Sequence, residues 1–274
     1  QMFLNNKKDY LNTLQAVNTM FLSIAFYTLL ATVLYSLKID KIMKYMGSKN
    51  RIAKHLLPII LEHKTENMAW VEPFVGGANM IDKVEGKRIG ADINKYLVKA
   101  LCLVRDEPNK IPRNNKEYTE EMFDVAKKGD LSNPVDCFAM FQYTFGSKFK
   151  DRWAKNKRGT DYVKECVRNV LIQSKNIQGV EFVHSSYQDL EIPDNSLIYC
   201  DPPYEGTTKY KDGFSHADFW EWCRTKIKEG HQVFVSEYNA PIDFKCVWEQ
   251  EVKNNLSANN NKRNVTERLF TYCG

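Results

Sequence analysis

The chain has 274 residues, a length that can bury a sizeable core as one large domain or as a domain with an insertion. Its formal net charge of +5 is mildly basic, which is compatible with a polyanionic partner but does not identify one. The seven cysteines are scattered and include no C-x-x-C pair. This pattern argues against a disulfide framework or a zinc knuckle and indicates a reducing compartment.

The first 42 residues are strongly apolar. No charged residue occurs from Tyr10 to Leu37, and Met20–Leu37 has the length of a marginal membrane-spanning helix with lysines on both sides. A cleaved signal peptide fits less well, because no small-residue cleavage site follows. We favour a third interpretation, in which Met43 is the natural start, because a motif begins immediately after it at Lys44.

The segment Lys44–Arg51 contains a Gly-Ser turn flanked by basic residues, followed by an apolar helix predicted over Ile52–His63. Such a turn can hold an anion at the N-terminus of the helix, although it is also a common loop. The next motif, Ala69–Ala78, is a short apolar strand, an acid, and a Gly-Gly turn that predicts a following helix. Its glycines allow a ligand to approach the backbone closely, and its acid can bind an ammonium group. A dinucleotide fingerprint of the G-x-G-x-x-G type is not matched here.

A second strand is predicted over Arg88–Asn94, and it ends in Asp92. In nucleoside-binding folds an acidic residue at this place accepts hydrogen bonds from the ribose hydroxyl groups. The alternative is that Asp92 caps the next helix, whose apolar face includes Leu97 and Leu101.

Strand–helix alternation stops over Pro108–Gln178, where helices are predicted around Glu117–Lys128, Val135–Phe145 and Tyr162–Gln178. The connecting stretch Tyr143–Gly159 interleaves basic residues with aromatic ones, as nucleic-acid surfaces do. A solvated loop is the alternative. The basic residues are Lys148, Lys150, Arg152, Lys155, Lys157 and Arg158.

The chain then returns to strands. One is predicted over Val180–His184, and another over Leu197–Cys200, which ends abruptly in Asp-Pro-Pro-Tyr. Prolines cannot continue a central ladder, so Asp201 is expected at the carboxyl end of its strand, where open α/β sheets bind ligands.

Beyond this point we predict four elements: a polar loop over Glu205–Gly213 that could close over a target, a helix over His216–Glu229, a strand over Gln232–Ser236, and a hairpin of Phe244–Val252 with Arg268–Tyr272 around an Asn-rich loop.

Asp201–Tyr204 resembles motif IV of the amino-methyltransferases, and Asp in its first position is typical of DNA adenine-N6 enzymes. Glu72-Pro73-Phe74-x-Gly76-Gly77 looks like their motif I, with Glu in place of the more usual Asp. Tyr45 followed by Lys49 resembles the N-terminal cofactor motif of the Dam-like (D12 class, alpha-type) DNA adenine-N6 methyltransferases. The resemblance runs from Lys44 nearly to the C-terminus.

The resemblance implies an α/β fold: a Rossmann-like methyltransferase sheet, mostly parallel with an antiparallel C-terminal hairpin, plus a mainly helical insert. Residues 43–107 and 179–274 would form the catalytic domain, residues 108–178 the DNA target-recognition insert, and residues 1–42 an extension. The expected reaction moves a methyl group from S-adenosylmethionine to N6 of a flipped-out adenine in double-stranded DNA, without a metal.

The implied catalytic residues are Asp201, Pro202, Pro203 and Tyr204. The implied cofactor contacts are Tyr45, Gly47, Lys49, Glu72, Pro73, Phe74, Gly76, Gly77, Asp92, Asn94, Tyr187 and Asp201. The six basic residues of the insert are the expected DNA contacts.

The expected protein is a cytoplasmic monomer of a bacterial or phage-infected cell. It could act beside a cognate restriction endonuclease, and a membrane is involved only if residues 1–42 belong to the working protein. Two alternatives remain open: an RNA or protein amino-methyltransferase of the same fold, and a DNA-binding module that has lost methyl transfer.

Overall fold

The computed structural model describes residues 43–206, 213–253 and 264–274. Among these residues, no helix combines the length and the apolar composition that crossing a membrane requires. The predictions for residues 1–42, for most of the loop after Tyr204 and for the Asn-rich loop lie outside the described residues.

A mixed seven-stranded sheet runs through the molecule, and its spatial order is β3-β2-β1-β4-β5-β7-β6. The first five strands in this order are parallel, and β7 is inserted antiparallel between β5 and β6. The predicted α/β sheet with an antiparallel C-terminal hairpin is therefore confirmed. The strands are β1 Trp70–Glu72, β2 Arg88–Asp92, β3 Val180–His184, β4 Leu197–Cys200, β5 Gln232–Glu237, β6 Phe244–Lys253 and β7 Asn264–Tyr272.

Six α-helices occur in the described residues: α1 Asn50–Leu61, α2 Lys95–Asp106, α3 Glu120–Lys128, α4 Pro134–Gln142, α5 Tyr162–Asn176 and α6 His216–Lys228. Five of them begin after a side chain that accepts backbone N–H bonds of the first turn, which fixes their starts. These capping residues are Asn94, Thr119, Asn133, Asp161 and Ser215.

The α-helix predicted after the Gly-Gly turn is wrong. The chain continues instead in turns and a short 3-10 helix, Ile81–Lys83. Gly76 and Ala78 have φ values of +50° and +57°. Residues in the left-handed conformation cannot be part of a right-handed α-helix. The first helical residues after the turn are therefore those of the short 3-10 helix.

The two faces of the sheet carry separate hydrophobic clusters. Along β4, Leu197 and Tyr199 join one cluster, whereas Ile198 and Cys200 join the other. Because both faces are covered, the central strands are continuous apolar runs, as parallel sheets require.

The helices of residues 108–178 belong to the same cluster as α1 and α2. Phe123, Phe138 and Val163 are fully buried in the cluster that also contains Trp70 and Tyr199. The segment that the sequence assigns to DNA recognition therefore completes the core on one face of the sheet. Its separation as a domain stays a prediction.

Two buried glutamines from these helices hold the segment that precedes α1. Gln142 exchanges two hydrogen bonds with the backbone of Lys44, at 2.9 and 2.7 Å. Gln173 accepts the Met43 N–H at 2.8 Å and donates to the carbonyl of Gly77 at 2.9 Å. Gln173 thus joins the start of the described chain to the glycine turn.

We expect Gln173→Leu to lower the free energy of unfolding by about 2–3 kcal/mol, because it leaves buried backbone groups without partners. Gln188→Leu makes the same chemical change at an exposed position and should have little effect. Urea unfolding of both variants measures the difference. Equal stability of the two variants would show that the hydrogen bonds of Gln173 do not stabilise the fold.

Candidate active site

Four neighbouring parallel strands end in an acidic residue at one edge of the sheet. Glu72, Asp92 and Glu237 are the last residues of β1, β2 and β5, and Asp201 follows β4 directly. Parallel strands bring their carboxyl ends to a common edge, so the four carboxyl groups share one region. The sequence identified three of them as site residues and missed Glu237.

Asp201 forms a buried ion pair with Lys49. The Lys49 Nζ lies 3.0 Å from Asp201 Oδ1, and only 8% of the lysine side chain is exposed. Burial raises the pKa of Asp201 to about 6, and the charge and hydrogen bond of Lys49 oppose a larger rise. Burial disfavours the ammonium as well, but the carboxylates of Asp201 and Glu267 outweigh it, so the pKa of Lys49 is raised. Both groups are therefore charged at neutral pH.

Glu267 is a second carboxylate at the same place, and no motif in the sequence pointed to it. Its Oε2 accepts a hydrogen bond from the Tyr204 hydroxyl at 2.8 Å and lies 3.6 Å from Lys49 Nζ. It sits on β7, which the sequence placed only from Arg268 onward. A longer hairpin in the prediction would have brought it to this edge.

The Tyr204 ring is held on several sides. Tyr238 packs edge-on against it with a centroid distance of 4.6 Å, and the Lys49 ammonium lies over the ring at 4.5 Å. Pro202 is buried and Pro203 is partly buried, so the turn that carries Tyr204 is packed into the protein. The structure brings all four predicted catalytic residues to the carboxyl end of β4.

Glu72 is almost fully buried, and its Oε1 accepts the indole N–H of Trp70 at 2.8 Å. Burial raises its pKa well above the usual range, and the neighbouring charges of Asp82 and Asp201 raise it further. Its expected contact with a cofactor ammonium stays a prediction.

The glycine turn is shaped by Tyr45. A Cβ on Gly76 would lie 2.9 Å from Tyr45 Cε1, and one on Gly77 would lie 2.7 Å from Tyr45 Cβ. The glycines therefore allow the Tyr45 ring to pack on the turn, in addition to any ligand approach. Pro73 and Phe74 begin the same turn, and Gly47 has a φ of +82° in the turn before α1.

Asp92 supports the glycine turn and does not cap the helix. Its oxygens accept the N–H groups of Gly76 at 3.3 Å and Asn94 at 2.9 Å, while Asn94 itself caps α2. Burial raises the pKa of Asp92 to about 6, and these two hydrogen bonds oppose that rise. Each carboxylate oxygen has a second lone pair, which can accept a hydroxyl.

Tyr187 lies in an aromatic cluster, with its ring centroid 5.4 Å from Phe74 and 5.3 Å from Trp222. It is nearly buried, which suits a wall beside a planar ligand better than a mobile surface group. Its role at a cofactor adenine is untested.

The basic stretch is exposed, but most of its aromatic residues are not. Tyr143 is fully buried, and Phe149 and Trp153 pack against the core. Only Phe145 is well exposed, with the Arg152 guanidinium 4.7 Å from its ring. Three of the four aromatic residues of the stretch therefore pack in or against the core, which leaves Phe145 as the exposed one.

The basic groups in this stretch differ in their surroundings. Lys148, Arg152, Lys157 and Arg158 are exposed, and Lys150 is half-buried. Lys155 pairs with Glu120 at 2.8 Å. The stretch presents positive charge to solvent between α4 and α5.

The strand order, the antiparallel β7 between β5 and β6 and the acids at the strand ends define a Rossmann-like methyltransferase fold. Residues 45–174 match the family model of the D12 class N6 adenine-specific DNA methyltransferases.

Two curated proteins are similar to this chain. The type II methyltransferase M.FokI of Planomicrobium okeanokoites is 28% identical over 211 residues, which cover 66% of this chain and 31% of M.FokI. The DNA adenine methylase of Vibrio cholerae is 26% identical over 183 residues, which cover 59% of this chain and 64% of that enzyme. The chain thus spans about a third and just under two thirds of these relatives.

The solved structure of SMU.472 with SAH aligns at a TM-score of 0.41 and 10% identity, over 83% of this chain and 53% of that chain.

Lys49→Met should raise the pKa of Asp201 above about 6, because burial is then no longer opposed by the ammonium. Titration of ¹³C-labelled aspartate carboxyl groups by NMR measures this midpoint, with Asp201→Asn identifying the signal. Lys44→Met is the matched control, since Lys44 pairs with Glu165. An unchanged midpoint would show that Lys49 does not hold Asp201 ionised.

Proposed function

We propose that the chain transfers a methyl group from S-adenosylmethionine to N6 of an adenine in DNA. The observation that carries the proposal is the placement of Asp201-Pro202-Pro203-Tyr204 at the carboxyl end of β4, with the Asp201 carboxylate held ionised by Lys49. The match of residues 45–174 to the family model of the adenine-specific DNA methyltransferases supports the choice of substrate.

The residues at the sheet edge fit this cofactor. Asp92 offers acceptors for ribose hydroxyls, the Tyr187 cluster offers a planar wall, and the turn with Tyr45 and Gly47 precedes α1. The backbone of the Gly76–Gly77 turn and the Glu72 carboxyl group complete the proposed contacts. When bound, the cofactor supplies a methyl group that its sulfonium already activates.

The target nitrogen is a poor nucleophile, because its lone pair is delocalised into the adenine ring. The Asp201 carboxylate and the Pro202 carbonyl are proposed to accept its two N–H bonds. These acceptors favour a more tetrahedral nitrogen and stabilise the positive charge that develops on it. A carboxylate with a pKa of about 6 can also accept the proton that N6 loses.

The adenine must leave the duplex to reach this site, at a cost of about a few kcal/mol. Tyr204 is proposed to stack on the extruded base. Residues 43–107 and 179–274 would provide the transfer site, and residues 108–178 the recognition of DNA. The exposed basic groups between α4 and α5 support the second assignment.

We further propose that the protein is a cytoplasmic monomer that could act beside a cognate restriction endonuclease. The sequence and its resemblance to the family support these three expectations.

Asp201→Asn should reduce methyl transfer by about 10²–10³-fold, because one charged acceptor is lost. Tritium transfer from labelled S-adenosylmethionine to unmethylated genomic DNA measures it. Asp194→Asn, at an exposed position before β4, is the matched control. Wild-type activity in Asp201→Asn would refute the assignment. Wild-type protein that binds DNA without transfer would be an inactive module, and transfer to RNA alone would favour the other enzyme class.

The double variant Lys157→Ala/Arg158→Ala should weaken DNA binding and make the slope of log affinity against log salt less steep by roughly 2, through lost phosphate contacts. Fluorescence anisotropy with a labelled duplex at several salt concentrations measures the slope. Lys228→Ala/Lys245→Ala removes two exposed charges outside the predicted insert and should leave the slope unchanged. Equal slopes for both variants would place the DNA elsewhere.

A further inference from the structure

In this structure Lys49 occupies two places that the proposed function gives to the target base. Its ammonium is 3.0 Å from Asp201 Oδ1. In the proposed reaction this oxygen has to accept a hydrogen bond from the adenine N6–H group. The same ammonium lies over the Tyr204 ring, 4.5 Å from its centroid, where the base has to stack. Adenine binding therefore requires the ammonium to move.

Glu267 lies where the ammonium can go. Its Oε2 is 3.6 Å from Lys49 Nζ, so a shift of less than one ångström would form a close ion pair. The lysine also donates to the Gly47 carbonyl at 3.3 Å, and its three N–H bonds allow this contact to be kept during the shift. Glu267 is itself mostly buried, with 15% of its side chain exposed.

Glu267 also fixes the orientation of Tyr204. The tyrosine hydroxyl donates to Glu267 Oε2 at 2.8 Å, the same oxygen that faces Lys49. One carboxylate therefore contacts both the stacking ring and the cation that covers it.

We propose that Glu267 is a positioning residue of the methyl-transfer site, which holds the Tyr204 ring and receives the Lys49 ammonium when the target adenine takes its place on Asp201. This inference rests on the proposed function. It assigns a role in the reaction to β7, the strand that is inserted between β5 and β6.

The charge on Asp201 provides a readout that a purely structural role would not produce. Glu267 is a negative neighbour of Asp201 and Lys49 is a positive one, so their removal should shift its titration in opposite directions. The titratable groups that act on Asp201 from the packed elements are Lys49, Glu72, Tyr199, Cys200, Tyr204, Glu237, Tyr238 and Glu267.

The test uses Glu267→Gln, which keeps the size of the side chain and an oxygen for the Tyr204 hydroxyl but removes the charge. We expect methyl transfer to fall roughly tenfold, since the ammonium then has only Asp201 as a carboxylate partner. The Asp201 midpoint, followed by ¹³C NMR without DNA or cofactor, should move to lower pH. The acid limb of kcat/KM should move with it.

Glu249→Gln is the matched control, because Glu249 lies on β6 and pairs with Arg268 at 3.0 Å. It should retain wild-type transfer and the wild-type Asp201 midpoint. Glu267→Asp keeps the charge and serves as a second variant if Glu267→Gln melts at a much lower temperature. It should retain a near-wild-type Asp201 midpoint while its transfer rate falls, because the shorter side chain withdraws from Tyr204.

A double-mutant cycle with Lys49→Met completes the test. If Glu267 acts by receiving the ammonium, Glu267→Gln should cause little further loss of transfer in the Lys49→Met background. Fully additive losses, an unshifted Asp201 midpoint or wild-type transfer in Glu267→Gln would overturn the inference. Absence of transfer by the wild-type protein would instead refute the proposed function, and the NMR midpoint would still decide whether Glu267 acts on Asp201.

Discussion

The site depends on one buried ion pair, between Lys49 and Asp201. Burial alone would push the Asp201 carboxyl group toward its neutral form, which is a poor acceptor for an amino group. The lysine offsets that burial, and it comes from the turn before α1, far from Asp201 in the chain. Glu267 adds a second carboxylate for the same ammonium, which gives the cation an alternative position without leaving the site.

The helices of residues 108–178 do not contribute a residue to this ion pair, but they position the backbone on the Lys49 side of it. Through Gln142 and Gln173 they fix the backbone that leads into the Lys49 turn and tie it to the glycine turn. The same helices bury Tyr143 and pack against Phe149 and Trp153, which are three of the four aromatic residues of the basic stretch. A segment that is predicted to recognise DNA therefore also supports the geometry of the proposed transfer site.

Acidic residues end four neighbouring strands, and each of them has different partners. Asp92 receives two backbone N–H bonds, and Glu237 is raised by burial to a pKa of about 7 despite two such bonds from Tyr238 and Glu205. Glu72 accepts the indole N–H of Trp70, and burial raises its pKa well above the usual range. Within the described part of the chain, Asp201 is the one of the four that is paired with a buried cation. This ion pair distinguishes the carboxylate that the motif assigns to the reaction.

The sequence by itself determined the α/β class, most helices and strands, and the placement of Asp201 at a strand end, because apolar runs, capping residues and prolines act locally. It did not determine that the Gly-Gly turn leads into a 3-10 helix, that Tyr45 packs on that turn, or that Tyr143, Phe149 and Trp153 belong to the core. It also gave no sign of Glu267. Only the tertiary structure decided these points, because they depend on contacts between residues distant in the chain, and burial and charge pairing exist only once those residues meet.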